Sequence, residues 1–196
     1  MADIRFDGQA VIVTGAGGGL GRSYALDIAR RGACVVVNDL GGSVEGSGGS
    51  REMAARGVAE ITAAGGRAIA SHDDVATAEG AARIAATTLD AFGRIDALIN
   101  NAGNMRIASF EDSRGEDLGS LLSVHLLGAY NVTKAVWPHL KQRRYGRVVF
   151  TSSSAGMFGH KLQCCYGAAK AGIAGLMNSL ALEGEPHGIL CNALMP

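Results

Sequence analysis

Residues 10–31 read AVIVTGAGGGLGRSYALDIARR, and three textures follow one another within them. A short apolar run, Ala10 to Thr14, has the length and the β-branched content of a buried strand. Glycines come next, and from Gly19 to Arg31 the apolar positions recur with the period of a helix. A strand that enters a helix through glycines makes a cradle for phosphate. Glycine permits the tight turn and removes Cβ atoms that would obstruct a pyrophosphate, while the N–H groups at the helix start turn partial positive charge toward it. Gly15, Gly19 and Gly21 are therefore candidates for holding a dinucleotide.

Working outward, short apolar runs keep alternating with longer helical segments, the signature of β-α units around a buried parallel sheet. Strands are expected at Ala10 to Thr14, Cys34 to Asn38, Arg67 to Ser71, Ala97 to Asn100, Arg147 to Thr151 and Ile189 to Ala193. Helices are expected from Gly19 to Arg31, Arg51 to Ala64, Thr77 to Ala91, Gly115 to Trp137 and Cys165 to Glu183. The glycine- and serine-rich stretch 41–50 lies between a strand and a helix and reads as a surface loop.

At 196 residues and 47% hydrophobic content the chain suits one folded domain, 1–196, and not a disordered segment. Lys+Arg and Asp+Glu number 18 each, so no basic field draws nucleic acid or anionic lipid. The amino terminus lacks a secretory pattern, and no apolar run reaches the ~18 residues of a membrane span. Of the four cysteines, Cys34 and Cys191 stand apart. Cys164 and Cys165 are neighbours that do not bridge easily and read as packing residues. A metal site is not expected, and a reducing, cytoplasmic setting is.

The second strand ends at Asp39, 18 residues past Gly21, near the spacing at which a carboxylate meets the adenosine ribose in dinucleotide folds. A carboxylate there repels a 2′-phosphate, which favours NAD over NADP. A turn-forming role before Gly41-Gly42 is the competing reading, and Arg51, beyond the loop, is a cation that weighs against the NAD preference. Tyr166 and Lys170 lie four apart in a helical segment and so share one face. A nearby ammonium favours phenolate over phenol and eases proton exchange. Ser153 stands thirteen residues before Tyr166 at the end of the fifth strand, where its hydroxyl is placed to hold a carbonyl oxygen. Ser152 and Ser154 are its competitors. Asn100-Asn101-Ala102-Gly103 forms a polar turn after the fourth strand, suited to approach a cofactor.

Together, Thr14-Gly15-x-x-x-Gly19-x-Gly21, Asn100-Asn101-Ala102-Gly103, Ser153 and Tyr166-x-x-x-Lys170 resemble the short-chain dehydrogenase/reductase family, over Gly8 to Pro196. The resemblance implies a Rossmann-type, doubly wound parallel sheet with helices on both faces and NAD across the carboxyl ends of the strands. It implies that Ser153 orients substrate, that Tyr166 exchanges the proton, and that Lys170 binds the nicotinamide ribose and tunes the tyrosine. Leu20, Asn101, Ala102 and Gly103 would line the cofactor, and Asp74-Val75 would contact adenine, with Asp73 as the rival.

A narrower resemblance, carried by RFDGQAVIVTGAGGGLGRSYAL, VVVNDLGG, LDAFGRID and YGRVVFTSSSAG, points to the dehydrogenase part of peroxisomal multifunctional enzymes of type two and their bacterial relatives. It implies a (3R)-hydroxyacyl-CoA substrate, with a hydroxysteroid as the alternative and a noncatalytic NAD-binding or interaction protein as the reading from another class. Two departures from the wider family stand out. His125 occupies a place where Asn is usual, and either relays a proton or is an ordinary helix histidine bound to a carbonyl. Family members also continue for ~50 or more residues past the segment ending at Pro196, so a carboxyl-terminal lid and a last strand are expected to be missing from these residues. A homodimer or homotetramer is expected by the same resemblance.

Overall fold

The computed structural model describes residues 4–43, 45, 46 and 48–196, so two positions of the expected 41–50 loop, Val44 and Ser47, lie outside the described residues. Six strands, β1 (Ala10–Thr14), β2 (Cys34–Asn38), β3 (Arg67–Ser71), β4 (Ala97–Asn100), β5 (Gly146–Thr151) and β6 (Ile189–Leu194), form one sheet in the order β3-β2-β1-β4-β5-β6. Every pairing is parallel. The order reverses between β1 and β4, which makes the crevice at their carboxyl ends the natural ligand site of such a sheet.

The strands read as unbroken apolar runs because both faces of the sheet are covered. On one face Val11, Val13, Val35, Val37 and Ile99 pack with Ala25 and Ala29 of α1 (Gly19–Arg30) and with Ala54 and Ile61 of α2 (Glu52–Ala63). The opposite face presents the alternate residues Ile12, Val36, Leu98, Val148 and Phe150. They meet Ile84 of α3 (Ala78–Phe92), Val132 and Val136 of α5 (Gly128–Arg143) and Ile173 of α7 (Cys164–Gly184). Local chemistry sets the ends of α3: the Thr77 hydroxyl accepts from the Gly80 N–H at 3.0 Å, and Gly93 closes the helix at φ +70°.

Two differences from the sequence reading concern the helices beside the site. The single helix expected over Gly115 to Trp137 is α4 (Gly115–Leu121), a π-helical segment (Leu122–Leu127) and α5, which runs through Pro138 to Arg143. Pro138 is tolerated because it sits on the exposed face, where the carbonyl released by its missing N–H reaches water. The short α6 (Ser154–Phe158) has too few residues to show a period.

At the edge of the sheet opposite the crevice, the Asp96 side chain is fully buried. Its Oδ2 accepts from the Ala10 N–H at 2.8 Å and from Arg94 Nε at 2.7 Å, its Oδ1 accepts from Arg94 Nη2 at 2.8 Å, and Arg143 Nε lies 3.4 Å from Oδ1. One carboxylate thus joins the first residue of β1, the entry to β4 and the end of α5. Removing it strands an uncompensated buried donor and two cations. Asp96→Ala is expected to lower the unfolding free energy by about 3 kcal/mol, whereas Arg143→Ala, at a partly exposed partner, costs about 1 kcal/mol or less; urea unfolding midpoints of the two variants check this.

Candidate active site

The turn between β1 and α1 is held by packing that only glycine allows. Gly15 adopts φ +63°, and a Cβ on it would come within 2.7 Å of the Ala102 Cα, while a Cβ on Gly21 would lie 2.2 Å from the Gly15 carbonyl oxygen. The Asn101 side-chain amide donates to the carbonyls of Thr14 and Gly15, both at 3.1 Å. Asn101 therefore fastens the β4 turn to the β1 turn. Leu20, in the first turn of α1, is 47% exposed. No side chain caps the start of α1, and its first turn carries no acidic residue. A Cβ on Gly19 would enter open space. An uncapped helix start beside an open approach fits the pyrophosphate of a dinucleotide.

Asp39 lies against this turn. Its Oδ2 accepts from the Gly17 N–H and its Oδ1 from the Gly41 N–H, each at 2.7 Å, so the turn-forming role and the position beside the cradle coexist. A carboxylate offers about four lone-pair sites, which leaves capacity for ribose hydroxyls. The two aspartates after β3 have separate occupations. Asp73 accepts from Arg83 Nε at 2.5 Å and from the Ser71 hydroxyl at 3.1 Å, which makes it structural. The Asp74 carboxylate accepts from the Ala76 N–H at 2.8 Å. Val75 is buried, and a Cβ on Gly128 would meet its side chain at 2.8 Å.

The proton-handling candidates meet where β5, α6 and α7 converge. Ser153 is half-buried at the cap of α6, and its hydroxyl accepts from the Ala155 N–H at 3.2 Å. Ser152 is buried and spends its hydroxyl on the Lys170 carbonyl at 2.9 Å; Ser154 is exposed. Of the three serines, Ser153 alone combines partial exposure with a position at the strand end. A Cβ on Gly156 would strike the Lys170 backbone at 2.7 Å, so α6 docks directly on the turn of α7 that carries the lysine.

Lys170 is buried and donates from Nζ to the Thr151 carbonyl at 2.5 Å. Its Nζ stands 5.5 Å from the centre of the Tyr166 ring. Burial pushes the amine down to about 8, which leaves it mostly charged at neutral pH and able to stabilise negative charge on its neighbour.

His125 completes the group, and the sequence left its role open. It sits in the π-helical segment, is buried, and meets the Tyr166 ring edge-on with centroids 5.4 Å apart and planes at 86°. Its Nε2 is 2.7 Å from the Asn104 carbonyl oxygen and 3.2 Å from the Asn104 amide nitrogen. The shorter contact fits a neutral ring that donates from Nε2. Burial, with Lys170 nearby, holds the imidazole down at about 4. A Cβ on Gly103 would come 2.3 Å from the His125 ring, so the glycine of the Asn-Asn-Ala-Gly turn makes room for the histidine. The carbonyl-bound reading of His125 is the one observed, with an added contact to Tyr166 that spacing in the sequence does not reveal.

Among the described residues, three buried polar atoms that have no hydrogen-bond partner belong to residues lining a single small recess: Asn100 Oδ1, Thr151 Oγ1 and His125 Nδ1. Buried polar atoms are nearly always paired. Their concentration around His125, which meets Tyr166, and Thr151, whose carbonyl holds Lys170, marks a polar place suited to a water molecule or a ligand atom.

The family model described as short chain dehydrogenase matches residues 9–196. A Mycobacterium tuberculosis protein named as a short-chain type dehydrogenase/reductase is 51% identical, over 96% of this chain and 66% of its own length. The mouse protein named peroxisomal multifunctional enzyme type 2 is 50% identical, over 98% of this chain and 26% of its own length. The chain thus spans less than two thirds of these relatives. Among solved structures, an NAD+-bound xylitol dehydrogenase superposes with a TM-score of 0.91 at 32% identity, covering 98% of this chain and 71% of that one. Fold, motif positions and these likenesses agree: the chain belongs to the short chain dehydrogenase family.

Proposed function

We propose that the chain is an NAD-dependent oxidoreductase acting on a secondary alcohol or its ketone, with residues 1–196 working as one NAD-binding domain. The observation that carries this reading is the buried Lys170 amine 5.5 Å from the Tyr166 ring, on the turn of α7 against which α6 packs through Gly156. When bound, NAD supplies the hydride acceptor at its nicotinamide ring. The chain supplies orientation and proton transfer. Ser153 donates a hydrogen bond to the substrate oxygen, Tyr166 takes or returns the hydroxyl proton, and the Lys170 ammonium stabilises the developing charge on both. Gly15, Gly19, Leu20 and Gly21 hold the pyrophosphate, Asp39 the adenosine ribose, Asp74 and Val75 the adenine, and Ala102 and Gly103 the floor beneath the cofactor. Asn101 acts there by fixing the cradle.

For the substrate we propose a 3-hydroxyacyl-CoA thioester. The half-identity with the mouse multifunctional enzyme and the sequence blocks shared with that group support it. A hydroxysteroid asks for the same chemistry beside an apolar groove, and a parallel assay of NADH formation with a (3R)-hydroxyacyl-CoA and a hydroxysteroid separates the two. We further propose a homo-oligomer. Among the described residues no helix is long and apolar enough to cross a membrane. The four free cysteines suit the reducing cytoplasm, and the peroxisomal names of several relatives make that organelle the competing location.

Two substitutions test the site. Tyr166→Phe is expected to lower kcat at least about 100-fold while NADH binding, followed by fluorescence titration, is unchanged; normal turnover overturns the assignment and favours a noncatalytic role. Asp39→Ala is expected to shift the NAD over NADP preference in kcat/KM about tenfold toward NADP, through loss of charged hydrogen bonds to the ribose and of repulsion toward a 2′-phosphate. An unaltered preference removes Asp39 from cofactor selection.

A further inference from the structure

The sequence reads Cys164 and Cys165 as packing residues, and the structure does not pack them. Cys164 is exposed, Cys165 is half-buried, and both are free thiols. Their Sγ atoms lie 3.7 Å apart, with the Ser113 hydroxyl 3.9 Å from Cys164 Sγ. Within a helix, consecutive side chains diverge and do not face one another. These two approach because Cys164 is the first residue of α7, entered from Gln163 at φ −129°, ψ 33°, outside the helical region.

The geometry discriminates between two ways of joining the sulfurs. A direct disulfide needs about 2.05 Å between them, and it usually spans Cα atoms ~4.4–6.8 Å apart, whereas neighbours across a trans peptide stand at about 3.8 Å. Forming it would drag the start of α7 out of shape. An inserted atom asks for little movement: two bonds of about 2.3 Å, the length of a metal–thiolate bond, at a tetrahedral angle span about 3.8 Å, close to the observed separation.

The coordination number then selects the inserted atom. Zinc in a stable site takes four protein donors, and among the described residues no group of three or more His, Cys, Asp or Glu is placed to hold a metal. Trivalent arsenic carrying one organic substituent needs only two thiols. Beside the sulfurs, Arg106, Ala108, Ser113, Asp117 and Leu162 line a recess, and the exposed Cys164 leaves that substituent to project toward solvent. We propose that Cys164 and Cys165 form a two-thiol binding site for trivalent organoarsenicals, closed by condensation and not by oxidation. Two As–O bonds of the hydrated arsenical break and two As–S bonds form. Both thiol protons leave in two water molecules, and arsenic stays trivalent. Burial and the contact with Cys164 push the Cys165 thiol up, so it is present as the protonated partner that this condensation consumes.

The test uses phenylarsine oxide on the intact folded protein, read by intact mass without denaturant and hence independent of turnover. One phenylarsenic unit per chain is expected, retained against excess monothiol and released by a dithiol such as 2,3-dimercaptopropanol. Cys164→Ser and Cys165→Ser are each expected to weaken retention by about 100-fold or more, because a single thiol loses the effective concentration of the second. The doubly substituted protein takes up none, since Cys34 and Cys191 are each only 7% exposed. An adduct that persists in the double variant, single variants that retain it as the parent does, or release from the parent by monothiol overturns the proposal. So does native-state oxidation by diamide to an internal Cys164–Cys165 disulfide.

Discussion

The Thr14 hydroxyl joins the two halves of the sheet at the one place where they part. It accepts from the backbone N–H of Asn101 at 3.0 Å and of Ala102 at 3.1 Å, and lies 3.4 Å from the Ile99 carbonyl. Parallel strands whose helices leave in opposite directions open a crevice at their carboxyl ends, and without a tether the turns after β1 and β4 would be free to separate. Thr14 supplies that tether from inside, buried to 1% exposure. The Asn101 amide supplies a second, and the glycines allow the turns to approach closely enough for both. The cradle and the floor of the site are therefore one rigid unit.

On that unit the chain spends stability to keep polar groups dry. Lys170 is an amine in a place that disfavours its charge, held by a backbone carbonyl and flanked by an aromatic ring. His125 is kept neutral in the same neighbourhood, and three polar atoms of the recess go without partners. Each of these is unfavourable when judged by folding alone. Their collection at one end of the sheet, while the opposite end satisfies Asp96 completely, separates a region arranged for chemistry from one arranged for cohesion.

The strands were legible because burial on both faces leaves an unbroken apolar run, and the helices because one face stays wet. That Tyr166 and Lys170 share a face, and that the glycines make a tight turn, was legible because spacing alone fixes such local geometry. Spacing singled out Ser153 from its competitors Ser152 and Ser154, and the structure adds that Ser152 gives its hydroxyl to the Lys170 carbonyl. Contacts between distant segments left no periodic trace: His125 on Tyr166, Gly103 yielding to His125, and Asp96 gathering two arginines. The helix expected to stop at Trp137 runs on through Pro138, since the rule that proline ends a helix holds where its N–H is needed and relaxes on an open face. Cys164 and Cys165 looked like core because cysteine usually is, and the helix start on which they sit is not core.

The π-helical turn at Leu122–Leu127 gives this helix one residue more than a regular winding over the same rise would require. His125 lies buried within that segment, while α5 keeps its own apolar stripe on the sheet. Trimming a single residue there would restore ordinary winding with the flanking turns in phase, and would change which residue of the segment faces inward. The length of this segment is thus dictated by the pocket and not by the scaffold, and the chain has no slack to lose at that point.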